Sequence, residues 1–206
     1  SCGVSGLPQV ALAPSGKAKS NSGMGPRGSI YQYLTTHSPI SADDDGSPIY
    51  EALLSGYNAL KAYQGVDKRM LVLITDGGFS CASVKNPTSP AAYTDLYGCN
   101  DWEHPDVVNK LISDHQKDAT TPIETFIVGV PGSNTNGGKT GKYDNAPYSM
   151  QLALSTYAVS GSPSSVDPTC DKGATFSKAG PAPAKPCHID LSTGMFNPNA
   201  LADAIS

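Results

Sequence analysis

An aspartate just beyond an apolar run is the residue of this chain best suited to chemistry. It is Asp76, in Arg69-Met-Leu-Val-Leu-Ile-Thr75-Asp76-Gly77-Gly78. Residues 70 to 74 are continuously apolar, as expected of a strand buried on both faces of a sheet. In open α/β sheets, ligands bind beyond the carboxyl ends of the strands, where Asp76 would stand. A carboxylate buried there costs free energy unless something pairs with it. A plainer reading also fits the local residues: Asp76 starts a turn with Gly77 and Gly78.

Other polar clusters carry less. Ser133-Asn-Thr-Asn-Gly-Gly138-Lys139-Thr140 follows an apolar run and resembles a phosphate-binding loop. However, Ser133 stands where the first glycine belongs, and the stretch up to Pro147 breaks the helix that should hold the phosphate. The four histidines, His37, His104, His115 and His188, fall in four separate elements. No HExxH, GxSxG or CxxC is present, and no nucleophile–base pair supports catalysis, so no enzyme is expected. Asp190-Leu-Ser192-Thr-Gly194 looks like a hydroxyl-rich metal loop, but it reads more simply as a strand end with turn residues. Asp43, Asp44 and Asp45 lack the alternating spacing of a calcium loop and read as a solvated turn.

The 206 residues can bury a core in one domain, taken here as 1-206. With 14 basic and 18 acidic residues the net charge is -4, and no basic block exists. That argues against nucleic acid or an anionic membrane as partner. No apolar run approaches the ~20 residues of a spanning helix. Gly, Pro, Ser, Thr and Asn are frequent, as in a loop-rich secreted protein, and a start at Ser1 reads as processed or trimmed. The five cysteines are Cys2, Cys81, Cys99, Cys170 and Cys187. Cys81 with Cys99 and Cys170 with Cys187 would each close a short Pro/Ser/Gly/Asn-rich loop, stabilising by ~3 kcal/mol. Without zinc-type spacing, disulfides and an oxidising, extracellular compartment are favoured.

The elements that must position Asp76 alternate along the chain. Residues 7 to 12 give a weak edge strand, and Ile30, Tyr33, Leu34 and His37 a short amphipathic helix. Ser47 before Pro48 marks a helix start, with Ile49, Ala52, Leu53, Gly56, Tyr57, Leu60 and Tyr63 on one face. The strand before Asp76 comes next, then an insert at 78-104. Pro105 opens a helix with Val107, Val108, Leu111 and Ile112 inward, and residues 123 to 130 form a second buried strand. A loop at 131-146, a helix from Pro147 to about Ala158, a loop at 160-186, a strand at 188 to 191 and a helix at 198 to 205 complete the pattern. Alternating strands and helices imply an α/β fold with a mostly parallel sheet covered by helices.

Gly46-Ser47-Pro48 opening an amphipathic helix, then Leu71-Val-Leu-Ile-Thr75-Asp76-Gly77, then Thr125-Phe-Ile-Val-Gly-Val130 resemble, in order, the second half of a von Willebrand factor A (vWA) domain. Gln151-Leu-Ala-Leu and Cys187-His-Ile-Asp-Leu are similar to secreted bacterial members. The resemblance covers most of the chain and implies a Rossmann-like fold. It also implies a metal-ion-dependent adhesion site: a divalent ion, usually Mg²⁺ (or Mn²⁺ or Ca²⁺), held by oxygens and water and completed by a carboxylate of a protein ligand. By this resemblance Ser47 would stand for the family's threonine ligand, although its hydroxyl is equally a helix cap, and Asp76 for the family's aspartate. The family's Asp-x-Ser-x-Ser loop is absent from the chain.

The family's strand order, 3-2-1-4-5-6, would make residues 7 to 12 strand 3 and leave this chain with strands 3 to 6. Strands 1 and 2 would then be missing, which exposes an edge and demands a filler. The expectation is that an N-terminal segment of the same precursor, or another subunit, completes the sheet, and that the odd Cys2 bonds to it. The implied function is non-catalytic: a protein-binding or adhesion module, or a purely structural subunit of an extracellular assembly whose metal site is degenerate. The rival reading is an enzyme built on the Lys139 loop or on Asp76.

Overall fold

The computed structural model describes residues 36, 49–64, 68–76, 81–82, 101–102, 105–134, 136–137, 148–173, 176 and 180–194. The expected strand at 7 to 12, the helix at 198 to 205, Cys2, Ser47, Cys99 and Lys139 lie outside them. The described elements run α1 (Ile49–Ala62), β1 (Arg69–Thr75), β2 (Cys81–Ala82), β3 (Asp101–Trp102), α2 (Pro105–Gln116), β4 (Ile123–Gly129), β5 (Asn136–Gly137), β6 (Tyr148–Ser149), α3 (Met150–Gly161) and β7 (Ile189–Asp190). This is an α/β arrangement with a small parallel three-stranded sheet, consistent with a Rossmann-like fold.

The sheet order is β1-β4-β7. Both pairings are parallel, with Arg69 opposite Ile123 and Val128 opposite Ile189. A crossover between parallel strands is right-handed. Two crossovers that step the same way across a sheet therefore put their helices on the same face. α2 and α3 obey this. α3 lies so close to β4 that a β-carbon on Gly161 would sit 2.5 Å from Thr125 O and 2.9 Å from Ile112 Cγ2 of α2. α1 is on that face too: a β-carbon on Gly56 would lie 2.7 Å from Leu71 Cδ1, and Leu71 is level with Thr125.

One face of β1 is consequently left to solvent. Met70, Val72 and Ile74 are 54%, 41% and 47% exposed. The expectation that residues 70 to 74 are buried on both faces is corrected here. Apolar residues on both faces say that cover is needed, but the described helices all lie on one side. Among the described residues, β1 is also paired on one side only, by β4.

The helices follow from local chemistry. α1 has Glu51 in its first turn and Lys61 in its last, matching the helix dipole. It buries Ile49, Tyr50, Leu53 and Tyr57, whereas Ala52, expected inward, is exposed. Its C-terminal carbonyls are satisfied by Arg69, whose guanidinium donates to Leu60 O at 2.9 Å and Tyr63 O at 2.8 Å. α2 starts on Pro105, where a missing N–H costs nothing, and buries Val108, Leu111 and Ile112. α3 starts at Met150 rather than the expected Pro147 because Tyr148–Ser149 pair with Asn136–Gly137, and Ser149 Oγ caps it by accepting from Leu152 N at 3.2 Å. Residues Leu152 to Ala158 are all buried, so α3 is the central helix of its layer.

The loop after α3 is held down covalently. Cys170 and Cys187 form a disulfide and both are buried in the core cluster. Cys187 N donates to Ser155 Oγ of α3 at 2.8 Å, which fixes the loop just before β7. Lys185 pairs with Asp167 at 2.8 Å across the same loop. The insert after Asp76 is closed by an antiparallel pairing of Cys81 with Trp102. The bond expected between Cys81 and Cys99 falls outside the described residues.

Candidate functional site

Because β1, β4 and β7 are parallel and in register, their carboxyl ends form one rim. Thr75, Gly129 and Asp190 are level across it. Asp76 is the next residue beyond Thr75 and is exposed. Sequence reasoning treated a carboxylate at this place as a buried charge in need of pairing. Its exposure corrects that: water solvates it, and it is open to a ligand.

A turn from β4 supports Asp76. Val130 N donates to Thr75 O at 2.9 Å, and Ser133 N closes the turn on Val130 O at 3.0 Å. Gly132 adopts φ +110, a conformation that glycine tolerates and other residues rarely do. A β-carbon there would lie 3.1 Å from Asp76 Cβ, so the turn rests directly against Asp76.

At the other end of the rim, Asp190 is exposed and its two oxygens are engaged. Ser192 N donates to Oδ1 at 3.0 Å and Gln151 Nε2 to Oδ2 at 3.2 Å. Gln151 also donates to Ser192 Oγ at 3.2 Å, tying the first turn of α3 to the end of β7. This is the turn-forming use of Asp190-Leu-Ser192, as the simpler reading had it. Asp76 follows β1 and Asp190 ends β7, the outer two of the three described strands, which lie about 10 Å apart by strand spacing.

Between them lies a pair that sequence reasoning missed. Ser133 is fully buried and His188 is 5% exposed. A β-carbon on Gly129 would sit 2.6 Å from Ser133 Oγ and 3.0 Å from His188 Nε2, so only glycine leaves room for both. Burial pushes His188 down to about 4, with the Asp190 carboxylate opposing, so the imidazole is neutral at physiological pH. Neither spacing nor motif marks this pair. In the sequence Ser133 reads as part of a phosphate-type loop, and the register that brings His188 to it is set by the fold.

Of the other candidates, His115 stacks on Tyr57 with ring centroids 3.9 Å apart and is a packing residue away from the rim. Ser47, His37, His104 and Lys139 lie outside the described residues. Among the described residues, no group of three or more His, Cys, Asp and Glu is placed to hold a metal ion. A hard cation such as Mg²⁺ takes six oxygens, and the Asp76 carboxylate carries two of them at most. No protein-family model, curated protein or solved structure matches the chain.

Proposed function

We propose that this chain is a vWA-like, non-catalytic protein-binding or adhesion module of a secreted or cell-surface protein. Asp76 would be the carboxylate through which a divalent ion, Mg²⁺ first, engages a carboxylate of a protein ligand. The observation that carries this reading is the exposed placement of Asp76 beyond the end of β1, on the carboxyl rim of a parallel sheet and against the Gly132 turn. Ser47 would supply a hydroxyl, and the remaining oxygens would come from a segment that completes the sheet. The Cys170–Cys187 disulfide supports an oxidising compartment. No helix among the described residues is long and apolar enough to cross a membrane.

The same reading gives the partner of β1. Met70, Val72 and Ile74 line one exposed face, and β1 has β4 as its one described neighbour. A further strand beside β1, with apolar cover over that face, would satisfy both its backbone and its side chains. An N-terminal segment of the same precursor, or another subunit, would supply it.

A second reading is a structural subunit that keeps the fold for assembly and binds no metal; it rests on the described residues, among which no group of three or more His, Cys, Asp and Glu is placed to hold an ion. Calorimetric titration of the complete assembly with Mg²⁺, Mn²⁺ and Ca²⁺ separates the two. The adhesion reading expects saturable binding that is lost in Asp76→Ala with the fold intact. Absence of binding to all three ions leaves the structural reading, and metal binding unchanged by Asp76→Ala overturns the role given to Asp76.

A further inference from the structure

Among the described residues, three buried polar atoms near the rim have no hydrogen-bond partner: Ser133 Oγ, His188 Nδ1 and His188 Nε2. Other buried hydroxyls in the same core are partnered. Tyr57 bonds Thr125, Thr156 donates to Leu152 O, Ser155 accepts from Cys187 N, and Ser162 donates to Ala158 O. Leaving a buried donor or acceptor without a partner forfeits its hydration with nothing in exchange. Here the serine and the histidine come from different segments, yet both polar atoms lie against Gly129. A β-carbon on Gly129 would fall 2.6 Å from Ser133 Oγ and 3.0 Å from His188 Nε2, so only glycine lets both polar atoms converge there.

The chemistry of the two groups selects an occupant. A hydroxyl both donates and accepts, and a neutral imidazole has one nitrogen of each kind. An occupant must therefore be small, uncharged and able to do both. A cation would meet no carboxylate directly there, since Asp190, the charged group that acts on His188, is turned to Ser192 N and Gln151. An anion would meet an uncharged ring.

We propose that Ser133 Oγ and His188 Nε2 together hold one resident water molecule over Gly129. Such a water makes two or more hydrogen bonds to groups that otherwise have none, and it behaves as part of the fold. Its place gives it a positioning role. It joins the turn after β4 to the residue before β7, and Gly132 of that turn rests on Asp76. The water thus ties Asp76 to β7 through the turn, without touching Asp76.

Water-¹⁷O magnetic relaxation dispersion of the parent chain and of Ser133→Ala tests this, together with the crystal structure of each. The expected result is one long-lived water in the parent within hydrogen-bond distance of Ser133 Oγ and His188 Nε2, and one fewer in Ser133→Ala with an unchanged backbone. Ser133→Thr, which keeps the hydroxyl, should retain it. A direct Ser133–His188 hydrogen bond with no density between them would overturn the proposal. So would an unchanged number of long-lived waters in Ser133→Ala, or density for a solute larger than water at this place.

Discussion

The hydroxyls of Tyr57 and Thr125 lie 2.7 Å apart in the middle of the core, joining α1 to the central strand of the sheet. Both residues are fully buried, and burial pushes the Tyr57 phenol up to about 12, with the Thr125 bond opposing. The bond is thus between neutral groups, and its value lies in leaving neither hydroxyl stranded. Tyr57→Phe is expected to cost ~1–2 kcal/mol, because Thr125 keeps a buried hydroxyl. Adding Thr125→Val should recover part of that loss. Urea unfolding of the two single variants and the double variant checks this; strict additivity would contradict it.

α3 approaches the sheet at Gly161 more closely than any side chain allows. Gly161→Ala would place a methyl 2.5 Å from Thr125 O and 2.9 Å from Thr125 Cβ. Backbone and a β-carbon cannot swing aside as a long side chain does. The expected destabilisation is ~1–3 kcal/mol, against the small gain that alanine usually brings to a helix. A thermal melt at or above the parent's would show that α3 can shift without penalty.

Stability should fall in mild acid because of His188. Its folded value of about 4 lies below the ordinary 6.5, so the unfolded chain takes up the proton first as pH falls. The contribution is whole above pH 6.5 and declines from there to about 4. The ceiling is ~3 kcal/mol. Asp118 and Asp167 are held below the usual carboxylate range, chiefly by Lys61 and Lys185, and lose their contributions only at lower pH. The two windows therefore separate. In His188→Gln the decline between pH 6.5 and 4 should vanish while the lower one stays, as read from urea midpoints across pH.

Reducing Cys170–Cys187 should release the loop from Asp171 to Pro186 and cost ~3 kcal/mol, the closure entropy of a loop of this size. Ser155 would then lose the ordered Cys187 N–H that it accepts from. Limited proteolysis of Cys170→Ser/Cys187→Ser should show new cleavage between these positions and spare α2. Parent-like resistance would mean that Lys185–Asp167 and the packing of Val166 hold the loop unaided.

Apolar runs and helical spacing were legible because each reports on its own neighbourhood. The runs before Thr75 and Gly129 became β1 and β4, and the phase of Leu53, Tyr57, Val108 and Ile112 picked the inward faces. What the runs could not say is which side of the sheet receives the helices. That depends on strand order, and it left Met70, Val72 and Ile74 exposed. The position of Asp76 at a strand end was readable, whereas its exposure was not, because the turn at Gly132 comes from another strand. The meeting of Ser133 with His188 needs both the turn geometry and the β4–β7 register, and no local pattern encodes either.

The parallel registers also set the order of events as the chain folds. Arg69 must find Ile123, and Val128 must find Ile189, across long intervening stretches, and none of the described pairings of this sheet is a hairpin. Each closure loses chain entropy before any pairing repays it, which places the sheet late and makes folding slow beside that of a helical bundle. α2 and α3 can form locally while β4, which both outer strands need, waits for them. During that wait Met70-Leu-Val-Leu-Ile74 is an unpaired apolar strand without a proline or a charge. It is the segment most prone to join a second chain before it joins its own sheet.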